Sequence, residues 1–321
     1  MAPIYLSFEK PIEEIEKSIA ELRDSSNDKH EVDFSIELSE LEKKREYLIK
    51  TIYENLTPWQ VTQVARHPER PIFSDYKNLL FDDFIEIHGD RQFRDDPSII
   101  TGFGRIGNEK FVVIGEEKGK DTKDKIYRNF GMPNPEAYRK ALRVMKLAEK
   151  FKKPIFTFID TAGAYPGIDG EERGQGEAIA RNLFEMSGLK TPIVSLVIGE
   201  GGSGGALAIA VADRVLMLQN SIYSVISPES CASILWRDAG FAERAADVLK
   251  YTGNYLMKFG VIEEIIPEPM GGAHRDVNLT IASVKKTALR HFQELKRIPI
   301  PRLVQKRYER FRKLGAFEIV K

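Results

Sequence analysis

The chain has 321 residues, 42% hydrophobic and 30% charged, which is enough for a large core in one large or two modest domains. Its 48 Lys and Arg balance 48 Asp and Glu, so no net field points to nucleic acid or a membrane surface. A single cysteine, Cys231, excludes an internal disulfide framework and a cysteine-based zinc site.

Residues 1–10 lack the basic and apolar regions of a secretory signal. The apolar run from Ala206 to Ala212 stops at Asp213, far short of the roughly 20 residues that span a bilayer. The expectation is a soluble cytoplasmic protein with no membrane contact. From about Pro11 to Asn55 the spacing predicts two amphipathic helices, the first through Ile12, Ile15, Ile19 and Leu22, the second through Leu38, Leu41, Tyr47, Leu48 and Ile52. A polar break at residues 24–28 separates them. Their stripes have either the chain's own core or a partner subunit to pack against. Thr57-Pro58 predicts a third helix start, with a capping hydroxyl and a proline at the first helical position. Ser74 is expected to cap a fourth, carrying Tyr76, Leu79, Leu80 and Phe84.

From Ile99 the pattern changes. Thr101 to Ile106 and Phe111 to Gly115, joined by Gly107-Asn108, predict a β-hairpin. Lys118, Lys120, Lys123, Lys125 and Arg128 follow, interleaved with acids. A run of this kind reads as a solvated loop, or as contact with ligand phosphates or an acidic partner. Asn134-Pro135 predicts a helix to about Lys150, and Ile155 to Ile159 a strand that ends in Thr161-Ala162-Gly163-Ala164-Tyr165. A helix over about 173–186 leads to the apolar run Ile193 to Ile198, a buried parallel strand. Five glycines between Gly199 and Gly205 then turn the chain into a buried helix. Strand, glycine turn and helix thus occur at least twice, the pattern of an α/β fold with a parallel sheet. Short strands over 214–218, 221–226 and 261–266 alternate with helices from Pro228, over 242–258, 278–296 and 301–314.

The glycine stretch matches two familiar patterns and fits neither. Gly199-Glu200-Gly201-Gly202-Ser203-Gly204 satisfies G-x-G-x-x-G, yet no acid ends the next strand to hold a ribose. Gly201-Gly202-Ser203-Gly204-Gly205 satisfies G-x-S-x-G, for which Asp238 with His274 or His291 would have to complete a triad. Gly115 to Lys120 is one residue short of a P-loop. The five histidines are scattered, none at metal-ligand spacing, so no metal is expected. What remains is the backbone: Gly204 and Gly205, opening a helix, present N–H donors to an oxyanion.

The chain resembles the α subunits of bacterial acetyl-CoA carboxylase carboxyltransferase over essentially its whole length. The resemblance is carried by His67-Pro68-Glu69-Arg70-Pro71, Arg128-Asn129-Phe130-Gly131-Met132-Pro133, Phe158 to Gly167, the glycine stretch, Tyr223 to Glu229, Cys231 to Trp236 and Ile266 to Arg275. It departs at Ala162, where many members have Pro, and at Ser230, where many have Gly. The resemblance implies a crotonase (ClpP/crotonase-like) superhelix of ββα turns: an N-terminal helical extension for partner packing over 1–72, the core over 73–270 and a C-terminal helical tail over 271–321. It also implies transfer of a carboxyl group from carboxybiotin, held on a biotin carboxyl carrier protein, to acetyl-CoA, giving malonyl-CoA for fatty acid synthesis. The implied partners are a zinc-bearing β subunit in an α₂β₂ assembly, the carrier and the biotin carboxylase, with no cofactor bound covalently here. Gly204 and Gly205 would then hold the biotin ureido oxygen. Thr161, Ala162, Gly163, Ala164 and Tyr165 would shape the biotin pocket, and Lys118, Lys120 and Arg128 would approach coenzyme A phosphates. A non-catalytic, CoA-binding or scaffolding crotonase-like subunit is the competing reading.

Overall fold

The computed structural model describes residues 3–28 and 34–315, without the side chains of 26–28. The outermost residues of the expected extension and tail, 1–2 and 316–321, lie outside these. The chain opens with α1 (Lys10–Asp28) and α2 (Ser35–Tyr53). The polar stretch 24–28 is helical rather than a break, because it completes the last turns of α1. Ile12, Ile15 and Ile19 are buried as the spacing predicts, whereas α2 buries no residue completely and leaves Ile36 and Tyr47 exposed. In α3 (Pro58–Ala65) the Thr57 hydroxyl accepts the Gln60 N–H, and the Gln60 side chain accepts the Thr57 N–H in return.

In α4 (Phe73–Leu80), Ser74 is not the cap. The helix begins two residues earlier than a Ser74 cap implies, with Ile72 at the cap position; the Asp75 carboxylate takes the Ile72 N–H, and Ser74 donates its N–H and hydroxyl to Glu117. Phe84 lies beyond it, in β1 (Asp83–Glu86). The predicted hairpin is β2 (Ile99–Ile106) and β3 (Glu109–Glu116), antiparallel and closing on Ile106 opposite Glu109. The basic run holds α5 (Thr122–Tyr127). Then come α6 (Pro135–Lys150), β4 (Ile155–Thr161), α7 (Ile168–Glu172), α8 (Gln175–Gly188), β5 (Ile193–Gly202), α9 (Ser203–Leu207) and β6 (Arg214–Leu218). The rest is β7 (Ile222–Ser224), α10 (Pro228–Trp236), α11 (Ala242–Leu249), α12 (Gly253–Lys258), β8 (Glu264–Ile266), α13 (Val277–Lys296) and α14 (Ile300–Arg312). The helical pattern over 242–258 is two helices, parted where Lys250 takes a left-handed conformation at φ 54°.

The sheet runs β1-β2-β3-β4-β5-β6-β8, antiparallel through β1–β3 and parallel from β3 to β8, with β7 joined to the end of β5. Alternation along β5 feeds two cores. Ile193 and Val197 join the α6 and α8 side, while Val194, Leu196 and Ile198 join the α4 and α13 side. Both faces are therefore covered, as a parallel sheet requires. All the parallel strands deliver their C-terminal ends to one edge, and the glycine turns sit there.

The N-terminal segment is tied down beside a pair of stacked histidines. His67 and His274 lie 3.9 Å apart, ring centre to ring centre and 11° from parallel. His67 Nδ1 accepts the Glu69 N–H, so its Nε2–H donates to the Ile4 carbonyl. Burial first, then His67, Arg275 and Arg70, push His274 down to about 3. Because an unfolded histidine titrates near 6.5, the unfolded chain binds a proton between these values that the folded chain refuses. This contribution is complete above pH 6.5 and is lost as pH falls. Between pH 7 and pH 5 it amounts to about 2 kcal/mol. His274→Phe, which keeps a stacking ring, is expected to flatten the pH dependence of the urea midpoint over that range; an unchanged slope would contradict the assignment.

Candidate functional site

The site forms where two strand ends meet. β4 and β5 pair in register up to Ile159 opposite Val197, and after an irregularity Thr161 stands opposite Gly201. The two turns that follow touch backbone to backbone. A Cβ on Gly202 would stand 2.1 Å from the Ala162 carbonyl oxygen, and one on Gly205 would stand 2.6 Å from the Ala164 nitrogen and the Gly163 carbonyl carbon. No side chain fits at either position, because the opposing atoms are main chain. Gly204 differs: a Cβ there meets nothing closer than Ile179 at 3.7 Å. Ser203, just before it, takes a left-handed φ of 48°, a conformation that costs a non-glycine residue of order 1 kcal/mol.

Among the described residues, the N–H groups of Gly204 and Gly205 have no acceptor within the chain. The N–H groups of a helix's first turn have no carbonyl one turn back, so they remain free for an outside oxygen. Gly204 also lines an apolar cavity of about 450 Å³ walled by Leu207, Tyr223, Val261, Phe311 and Leu314. No histidine lines it. His274 is stacked on His67, and His291 Nε2 bonds Glu264, so the histidines of the elbow reading are engaged elsewhere. The glycine run therefore offers two free donors, the Gly204 one on a residue that lines an apolar space, and, among the described residues, no side-chain nucleophile paired with a base.

The other sequence-predicted residues divide. Thr161 to Tyr165 lie behind the turn and line none of this cavity. Thr161 Oγ1 bonds both the N–H and the carbonyl of Gly163, Ala164 backs Gly205, and the Tyr165 N–H donates to the Pro133 carbonyl. Tyr165 lines a separate polar cleft of about 330 Å³ with Arg94, Asp96, Tyr127 and Asp169. Lys118, Lys120 and Arg128 each meet a carboxylate of this chain: Lys118 meets Asp160 at 2.7 Å, Lys120 meets Asp75 at 2.5 Å and Arg128 meets Asp124 at 2.9 Å. Arg128 also donates to the Pro97 carbonyl.

Sequence reasoning missed a charged cluster beneath the turn. Glu200, the only acid inside the glycine run, meets Arg66 at 2.6 Å and Lys118 at 3.3 Å, and Arg66 also meets Glu229 at 2.5 Å. Burial works against the charge on Glu200, but Lys118 and Arg66 hold its carboxyl below the usual range. Burial pulls Lys118 down, but Asp160 first and then Glu200 raise it above its ordinary range. Beside them, burial pushes Glu116 well above the carboxylate range; one oxygen accepts the Asp160 N–H and the other has no partner among the described residues. One signal was present in the sequence, a lone carboxylate in a run of residues otherwise chosen for smallness.

Residues 5–315 match a family model described as acetyl co-enzyme A carboxylase carboxyltransferase-like. The chain is 55% identical over 319 residues to the acetyl-coenzyme A carboxylase carboxyl transferase subunit alpha of Nitrosomonas europaea, covering 99% of each. Its fold is similar to that of a transcarboxylase 12S crystallised with methylmalonyl-coenzyme A and methylmalonic acid, at a TM-score of 0.54 and 17% identity, over 70% of this chain and 44% of that one. It is also similar to a chain of a Pseudomonas malonate decarboxylase hetero-tetramer in complex with coenzyme A, at a TM-score of 0.55 and 16% identity, over 66% of this chain and 85% of that one. At these identities the structural likeness carries the fold, and that fold is crotonase-like, as expected. Among the described residues no helix is long and apolar enough to cross a membrane, and no group of histidines, cysteines and acids is arranged to hold a metal ion.

Proposed function

Because this chain belongs to the acetyl co-enzyme A carboxylase carboxyltransferase-like family and is a carboxyltransferase subunit of the alpha type, we propose that it supplies the half-site receiving a carboxyl group carried on biotin. The acceptor is acetyl-CoA and the product malonyl-CoA, which feeds fatty acid synthesis in the cytoplasm. The observation that carries this reading is the pair of unclaimed N–H groups on Gly204 and Gly205, at a turn whose Gly204 lines an apolar cavity. A carboxylated ureido ring leaves negative charge on its oxygen when it gives up the carboxyl group. Two fixed donors meet that charge without reorganising, and one such donor is worth roughly 2.7–4 kcal/mol in a characterised hydrolase. The apolar walls, Leu207, Tyr223 and Phe311, suit a bicyclic ring with an alkyl chain and exclude water from it.

Biotin arrives on its carrier protein in this reading, and a β subunit brings the equivalent donors for the acetyl-CoA enolate, so the α₂β₂ assembly completes the site. Zinc belongs to that partner. Thr161 to Tyr165 act by supporting the turn that carries the donors, not by touching the ring. Contact of Lys118, Lys120 and Arg128 with coenzyme A phosphates requires them to exchange their present carboxylates. Lys120, with a side chain 64% exposed and Asp75 for its partner, is the most ready of the three to do so.

The purified chain alone is expected to be inactive. Mixed with its β subunit, biotin and malonyl-CoA, it should release acetyl-CoA. Turnover without the partner would overturn the divided site, and assembly without turnover would favour a scaffolding subunit.

A further inference from the structure

We propose that Glu200 is a positioning residue for carboxyl transfer, clamped between Arg66 and Lys118 so that the glycine turn holds the Gly204 and Gly205 N–H groups on their target. The inference rests on the oxyanion reading of those two residues. Its basis is a convergence of elements at one edge of the sheet. Lys118 follows β3, Asp160 lies in β4, Glu200 lies in β5, and Arg66 follows α3 from outside the sheet. Asp160 Oδ1 accepts both the Glu200 N–H at 2.9 Å and the Lys118 ammonium at 2.7 Å. Glu200 Oε1 takes the Arg66 Nη2 at 2.6 Å and Nε at 2.8 Å, while Oε2 takes Lys118 at 3.3 Å. Both the backbone and the side chain of Glu200 are therefore fixed, from three separate elements.

The sequence around Glu200 shows why a clamp is needed. Gly199, Gly201 and Gly202 flank it, and a peptide of such residues has little conformational preference of its own. Gly199 is also required by the clamp, since a Cβ there would stand 2.4 Å from Asp160 Oδ1 and close off its approach. Glu200 is four residues before Gly204, so a tilt at the strand end carries directly to the donors. Misplacement of a catalytic group by about 1 Å is enough to cost on the order of 100-fold in rate. The paired charges also explain why Glu200 and Asp160 tolerate burial here beside the partly exposed Arg66 and Lys118: each carries charge-assisted hydrogen bonds.

The test uses the full chain assembled with its β subunit, reading kcat and KM separately for malonyl-CoA with biotin as acceptor, alongside the melting temperature of the complex. Glu200→Gln is expected to lower kcat at least ten-fold with KM within two-fold of wild type. Lys118→Met, which leaves the Arg66 pair in place, should lower kcat several-fold, and Lys118→Arg should restore most of it. Asp160→Asn with Glu200→Gln should cost no more than the worse single change, as expected of residues acting as one unit. Wild-type kcat in assembled Glu200→Gln overturns the proposal, as does a loss that only tracks the fraction of complex unfolded. If Glu200→Gln fails to assemble, the Lys118 pair decides: Met and Arg variants both at wild-type kcat overturn it. An inactive wild-type complex, or an active Gly205→Val, would instead count against the underlying oxyanion reading.

Discussion

Gly205→Val is expected to lower carboxyl transfer by the assembled enzyme by at least 100-fold while leaving the complex assembled. The loss does not come from removing the N–H, since valine keeps it. It depends on where that N–H can point. A Cβ at this position would stand 2.6 Å from the Ala164 nitrogen, 2.6 Å from the Gly163 carbonyl carbon and 3.0 Å from the Gly163 Cα. All three are backbone atoms of the β4 turn, with no flexible side chain to swing aside. The two turns must separate, and the donor pair is displaced with them. Loss of a single oxyanion donor costs roughly 100- to 1000-fold in kcat. Gly204→Ala is the contrast, because its methyl makes an ordinary contact with the Ile179 side chain at 3.7 Å, displaces no backbone and keeps both N–H groups in place. Its effect should be confined to crowding the cavity, a change of about ten-fold or less in KM. Turnover is followed as acetyl-CoA release, with assembly checked by light scattering. Near-normal turnover of the valine variant would remove Gly205 from the mechanism.

This contrast also shows what the sequence made legible. Periodicity placed β4, β5 and α6 correctly because they are wholly or largely buried, and burial is what apolar patterning records. The Gly107-Asn108 hairpin was equally visible from its two-residue turn. The glycine run was recognisable as a turn from a buried strand into a helix, and the N–H groups of Gly204 and Gly205 have no acceptor among the described residues. The sequence did not separate Gly205, where a Cβ would strike the backbone of Gly163 and Ala164, from Gly204, where a Cβ would only touch the Ile179 side chain. That distinction is set by the β4 turn, about 40 residues earlier in the chain. The cluster of Arg66, Lys118, Asp160 and Glu200 was hidden for the same reason, since its members span about 135 residues and only the parallel sheet brings them together. Lys118 illustrates the hazard most clearly. In a run of alternating charges it looked like a free cation for phosphates or solvent, and its two nearest carboxylates come from other strands. The tail's role was also illegible, because nothing in the spacing of α14 says which wall it builds.

That wall supplies the second large effect: Arg307→Leu is expected to destabilise the chain by about 3–5 kcal/mol and to loosen the cavity beside Gly204. Arg307 is 1% exposed and anchors α14 through its whole guanidinium. Nε and Nη2 meet the two Asp213 oxygens at 2.9 and 2.8 Å, while the remaining N–H groups reach the carbonyls of Met186, Leu189 and Thr191 at 2.8–2.9 Å. Leucine would leave three buried carbonyls without this donor and Asp213 with only the Ile193 N–H, at 2.8 Å. Burial already pushes the Asp213 carboxyl upward even against the pull of Arg307. Without the guanidinium it would rise further and favour the neutral acid, so the variant should lose less stability at pH 5 than at pH 8. Phe311 and Leu314, four and seven residues on, form part of the apolar wall and depend on this anchor for their place. Urea unfolding should therefore show a lower midpoint, and KM for biotin should rise more than KM for malonyl-CoA. Replacing both partners, Arg307→Leu with Asp213→Leu, removes the orphaned charge and should recover part of the stability without recovering the wall. Equal recovery of stability and of KM would mean that Arg307 holds the fold but has no particular hold on the cavity.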